Sequence, residues 1–135
     1  MLFRSEKKGV TVDQNLIILT DNNEDFDAKV ANFFEKNKVD AVFALDEHAA
    51  VSAMKLGIKK GLKIPEDFSV IGFADGVWSR RMTPSLSTVS QHGPEIGEVA
   101  AQMLIDKLES KEEELGFKTT IIKTELRQRD STRKL

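Results

Sequence analysis

The side chains that could do chemistry gather just behind three short apolar runs. Asp46 follows residues 41–45, an almost wholly apolar run rich in strand formers, as a strand covered on both faces would be. Asp46 has two readings. Its carboxylate can accept from the free N–H groups of a first helical turn, or it can accept from a ligand if its two oxygens divide the work. Asp75 lies in the loop behind the second run, residues 68–73. Gln91 follows the third, residues 86–89, and could orient a polyol with its donor and acceptor or equally be a surface glutamine. Trp78, the only tryptophan, could stack on a sugar or anchor an interface. His48 and His92 are the only histidines and follow different strands, so they form no close metal pair in sequence. A relay of Ser90, His92 and Asp75 can be assembled on paper, but no oxyanion hole is legible beside it. The phosphate-cradling GxxxxGK[ST], the dinucleotide GxGxxG and the GxSxG elbow are all absent. No catalytic residue, metal or cofactor is expected, and the chain reads as a non-enzyme.

The elements that must position these residues follow from spacing. Ala50, Ala53, Met54, Gly57 and Ile58 share one side of a helix that starts behind Asp46. Gly61 suits the left-handed residue after its end, and Pro65 forbids continuation. Strand, helix and strand with such short links make a right-handed parallel crossover. Ligands of open parallel sheets bind at the carboxyl ends of the strands, where Asp46 and the loop after Phe73 both lie. Residues 16–19 (LIIL) read as another buried strand. A helix over about 24–35 follows, with Glu24, Asp25 and Asp27 in its first turn and Phe26, Val30, Phe33 and Phe34 as core positions. Gly93-Pro94 opens the cleanest helix, which ends near Ser110. Residues 111–114 read as a charged loop, 119–126 as a last strand, and the basic tail 127–134 as solvent-exposed.

The totals narrow the class. A chain of 135 residues with 40% apolar and 31% charged residues suits one soluble globular domain. A net charge of −2 without a basic stripe gives no footprint for nucleic acid. The absence of cysteine removes disulfides and thiolate metal sites and fits a cytoplasmic protein. No run approaches the roughly 20 apolar residues of a membrane span, and the first residues lack the apolar core of a signal peptide.

Longer phrases carry more information than these single residues. The segment VDAVFALDEHAAVSAMKLGIKKGLKIPEDFSVIGF, then TPSLSTVSQ, then GEVAAQMLIDKLES and finally TELRQRDSTR resembles, in order and spacing, the C-terminal part of LacI-family transcriptional regulators. The resemblance implies an α/β fold: a three-layer, Rossmann-like parallel sheet flanked by helices, as in half of a periplasmic-binding-protein-like sensor. It implies residues 1–92 as the C-terminal subdomain, and 93–135 as a helix and strand that normally pack on an N-terminal subdomain. It also implies a small-molecule effector, a carbohydrate or related metabolite, and contact with operator DNA only through a headpiece absent from this chain. A free-standing periplasmic-type sugar-binding protein is the alternative.

The same resemblance assigns residues. Asp46 falls where the family has an effector-contacting asparagine or aspartate, Gln91 lies in a segment crossing the cleft, and Thr20 falls where some members hold an aromatic over the ligand. The loop after Phe73 normally begins with an effector-binding aspartate; here Ala74 stands there, with Asp75 next. Ala50, Val51, Met54 and Met82 mark a homodimer face, or else a face packed on the chain's own sheet. The family's first strand is expected to be missing between the strands at Leu16 and Ala41. The sheet must then close the gap, recruit a strand from another chain or borrow its own C-terminal strand. The displaced C-terminal helix and strand are expected to mediate association.

Overall fold

The computed structural model describes residues 7–19, 26–110 and 116–133. Thr20, Glu24, Asp25 and the loop 111–114 lie outside them. The chain divides into two compact units at the Val39–Asp40 boundary. In the first, the strand expected over 16–19 is not formed. Gln14–Leu16 makes one 3-10 turn, and the Asp13 carboxylate accepts from the Asn15 N–H at 2.9 Å. Short polar side chains beside the apolar run offer its backbone local hydrogen bonds in place of a ladder, and Leu19 is left 81% exposed. Helix α1, Phe26–Lys36, carries Asp27 in its first turn. Phe26 and Val30 are buried, and the rings of Phe33 and Phe34 meet edge-on at 6.0 Å.

The second unit is built on a four-stranded sheet in the order β1-β2-β3-β4. Strands β1 (Ala41–Ala44), β2 (Ser69–Gly72) and β3 (Ser87–Ser90) are parallel, while β4 (Glu125–Arg127) runs antiparallel to β3. Helix α2, Glu47–Lys59, makes the crossover from β1 to β2. Asp46 caps it, accepting from the Ala49 N–H at 2.7 Å. Beyond its end Gly61 has φ +79°, a conformation that costs a glycine little. Ala50, Ala53 and Met54 on α2 meet Phe68, Val70 and Leu86 in a core where all are at most 3% exposed. Each large apolar side chain so buried contributes roughly 1.5–3 kcal/mol. Gly57 sets how closely the helix approaches: a Cβ there would stand 2.9 Å from the Phe68 ring. Helix α3, Val77–Arg81, and the long helix α4, Gly93–Glu109, complete the unit.

Two sets of alternatives are decided here. Ala50 and Met54 are fully buried against the chain's own sheet, so neither has surface left to offer a second subunit. Val51 and Met82 are half-buried and retain some. From the C-terminal segment, β4 joins the same sheet as β1–β3, because the edge of β3 offers it a ladder. The sheet therefore borrows its own C-terminal strand, which makes an otherwise parallel sheet mixed. Helix α4, in contrast, has no buried residue, and Leu104 and Leu108 are 58% and 76% exposed.

The tail beyond β4 locks this arrangement. Ser131 lies fully buried between the amino ends of β2 and β3. Its hydroxyl donates to the Val70 carbonyl at 2.6 Å and accepts from the Ser87 N–H at 2.7 Å. Its backbone accepts from the Val70 N–H and donates to the Ser85 carbonyl, both at 2.9 Å. Ser131 thus acts as a one-residue strand filling the splay between two parallel neighbours. Ser131→Ala strands two buried polar groups and should lower the unfolding free energy by about 1–3 kcal/mol, read from urea denaturation. A loss below a few tenths of a kcal/mol would show that the bridge is idle.

Candidate functional site

The loops behind β2 and β3 border an open hollow of about 600 Å³. Ala74, Asp75 and Gly76 come from the first loop, Ser90 through Glu95 from the second, Arg80 from α3 and Arg127 from β4. The position is the carboxyl edge of the parallel strands, where helix N-termini also converge. Helix α4 begins at the hollow with Pro94 in its first turn. Its N-cap, His92, adopts φ +54°, an uncommon value for a residue with a side chain, though histidine tolerates it better than most.

Asp75 is the electrostatic centre. Its side chain is only 4% exposed and meets four donors. Oδ1 accepts from Arg129 at 2.5 Å and from the Thr88 hydroxyl at 3.0 Å. Oδ2 accepts from Arg127 and, at 3.4 Å, from Arg80. A carboxylate has about four lone-pair sites, so Asp75 is saturated. Burial alone pushes its pKa up. Hydrogen bonds from Arg129 and Thr88, the Arg129 charge and the Arg127 hydrogen bond outweigh this and hold it below the ordinary carboxylate value. The guanidinium of Arg127 also donates to Glu125 at 3.2 Å, and these partners, Glu125 foremost, hold it more firmly charged.

Arg129 ties the site to the tail. It donates to the Leu86 carbonyl at 2.6 Å, and its backbone N–H donates to the Ser87 hydroxyl at 2.8 Å. The exposed basic tail expected from the sequence is therefore overturned for two of its members: Arg127 and Arg129 side chains are 34% and 16% exposed. A signal was present. Arg127 and Arg129 are two apart, the spacing that puts side chains on one face of an extended chain.

Of the residues singled out from the sequence, Asp75 and Gln91 line the hollow together. The Gln91 amide donates to the Phe73 carbonyl at 3.2 Å, which fixes its orientation. Asp46 stands at the end of β1 but caps α2 and is not part of the lining. Thr20 lies outside the described residues. Trp78 is 64% exposed on α3 and does not line the hollow. Ser90, His92 and Asp75 do surround one space, yet they form no relay. The Asp75 oxygens are committed to arginines, and His92 Nε2 faces Glu125 at 3.8 Å. Glu47 ties α3 to α2. Its Oε1 accepts from the Ser79 N–H at 2.8 Å and from the Ser79 hydroxyl at 2.7 Å.

The sign of the pH dependence follows from Asp75. Its folded pKa is depressed below the ordinary 3.8, so its stabilising contribution is fully present above that value. The contribution is lost as pH falls through the lower folded value. Asp75→Asn should flatten this part of the acid limb of unfolding free energy. At neutral pH it should also cost roughly 2–3 kcal/mol, because Arg127 and Arg129 lose their shared anion. Unfolding curves recorded between neutral pH and pH 3 test both, and an unchanged acid limb would remove Asp75 from its central place.

Comparison with known proteins agrees with this geometry. Residues 3–132 match the family model of the periplasmic binding protein-like domain. The HTH-type transcriptional regulator MalR of Clostridium butyricum is 32% identical over 127 residues, which cover 93% of this chain and 37% of that protein. A LacI-family transcriptional regulator from Sanguibacter keddieii superposes with a TM-score of 0.84 at 25% identity, over 93% of this chain and 47% of that one. A sugar-binding LacI-family regulator from Escherichia coli, solved in complex with phosphate, gives a TM-score of 0.74 at 26% identity, over 94% and 45%. The chain thus spans less than half the length of each. With the strand-end hollow, the parallel crossover and the extent of these matches in agreement, the chain belongs to the periplasmic-binding-protein-like family, in the effector-binding portion of LacI-type regulators.

Proposed function

We propose that this chain is the effector-sensing and dimerising part of a LacI-type transcription regulator, and that it binds a small sugar or related metabolite in the hollow behind β2 and β3. The observation that carries the reading is the hollow itself. It lies at the carboxyl ends of parallel strands and is lined by charged and amide groups held by their own partners. Such pre-set donors and acceptors suit a polyhydroxylated ligand, since little ordering is left for binding to supply. The sugar-binding regulator from Escherichia coli supports the same ligand class. Operator contact belongs to a headpiece outside this chain, and the setting is cytoplasmic. None of the helices among the described residues is long and apolar enough to cross a membrane. Kinship with MalR favours a regulator over a free-standing solute-binding protein. No turnover is assigned to the site, because Asp75 is fully engaged by arginines and is not placed as a base. The uncovered apolar side of α4 fits packing against the remaining half of a two-lobed sensor.

Calorimetric titration of the folded chain with neutral and acidic monosaccharides tests the reading. Saturable heat with at least one, and a several-fold loss of affinity in Gln91→Ala, are expected, since one hydrogen bond is worth about 0.5–1.5 kcal/mol. No binding of any carbohydrate would overturn it. For association, Val51 and Met82 remain as the contact residues. Sedimentation velocity should find a dimer that Val51→Glu or Met82→Glu shifts toward monomer; a monomeric parent chain would overturn this part.

A further inference from the structure

We infer, resting on the carbohydrate-binding reading above, that the hollow selects an anionic sugar derivative, one bearing a carboxylate or a phosphate, through the guanidinium groups of Arg127 and Arg80. A neutral sugar bound by a carboxylate needs oxygens free to accept from its hydroxyl groups. Of the two residues that open the loop behind β2, Ala74 has no side-chain acceptor. The other, Asp75, already takes four donors. Asp75 therefore offers no unused carboxylate oxygen, and the other carboxylate of the lining, Glu95, is exposed on the first turn of α4.

Donors, in contrast, are in surplus. Arg127 gives one terminal nitrogen to Asp75 and Nε to Glu125, which leaves its other terminal nitrogen without a protein acceptor among the described residues. Arg80 gives one nitrogen to Asp75 at 3.4 Å, and its side chain is 63% exposed. The first turn of α4 opens on the same space: Gly93 lines it, and a Cβ there would meet no atom outside its own turn within 4 Å. A 17-residue helix adds partial positive charge at that end. Two further carboxylates, Glu95 in the lining and Glu125 beside Arg127, offset part of this charge. Glu125 is drawn to Arg127 at 3.2 Å and to His92 at 3.8 Å. Glu95 is exposed on a flexible arm that can turn to water. The Arg80 guanidinium, held at 3.4 Å by one acid, can meet a second acid in bidentate geometry, which a hydroxyl cannot match, while Arg127, already engaged by two acids, adds its remaining terminal nitrogen.

The test compares each acidic probe with its neutral parent on the same folded chain: galacturonate with galactose, and glucuronate and glucose 6-phosphate with glucose. At least one acidic probe should bind about tenfold or more tightly than its parent, and the preference should shrink as salt rises. A hexuronate advantage alone identifies the carboxylate; an advantage of the 6-phosphate alone identifies the phosphate. Arg80→Gln, at an exposed position, should reduce the preference several-fold, and Arg127→Gln more strongly. Equal or tighter binding of the neutral sugars would overturn the inference and leave the proposed function standing. So would a preference untouched by both substitutions. Failure of every carbohydrate to bind would overturn both.

Discussion

A single buried carboxylate holds the second unit's functional end together. Asp75 is almost fully removed from water, and a charge so placed is costly unless it is paired and hydrogen-bonded. Arg127 and Arg129 meet that requirement from the far end of the chain, across 52 and 54 residues of sequence. The pairing fixes the loop after β2, orients β4 beside β3 and sets which side of the hollow carries donors. Remove the acid and two arginines face each other; remove the arginines and the acid loses its reason to be ionised.

The tail that delivers these arginines is anchored by different physics. Ser131 replaces a missing stretch of ladder between β2 and β3 with two side-chain and two backbone hydrogen bonds. Its neighbourhood continues the pattern: Ser87 meets both the Arg129 N–H and the Thr132 hydroxyl, and Ser85 meets Asp130 at 2.6 Å. Small hydroxyl residues do this well because they reach backbone groups without demanding volume. The amino ends of the strands thus hold the tail, while the carboxyl ends hold the charges that line the hollow. One short segment, 125–133, serves both ends of the sheet.

Groups that cap or anchor helices and groups that border the hollow lie at the ends of different strands. At the end of β1, Asp46 is spent on capping α2, and its neighbour Glu47 on anchoring α3. At the ends of β2 and β3, Asp75 and Gln91 are held by partners of their own while still bordering open space. That arrangement leaves both side chains in settled positions at the edge of the hollow.

Much of this was legible from residues alone. The β1–α2–β2 crossover follows from two apolar runs, the cap at Asp46, the left-handed Gly61 and the stop at Pro65, all of them local features whose physics acts within a few residues. The helix opened by Pro94 is local in the same way. Asp75 and Gln91 could be placed at one end of the sheet because parallel topology sends every strand-end loop there. Tertiary structure alone decided three things. It left residues 16–19 without a strand, because an apolar run becomes a strand only when another strand supplies its hydrogen bonds. It turned Ala50 and Met54 inward, since helical spacing defines a face but not what that face meets. And it brought Arg127 and Arg129 onto Asp75, because the pairing of charges half a chain apart depends on which strand lies next to which.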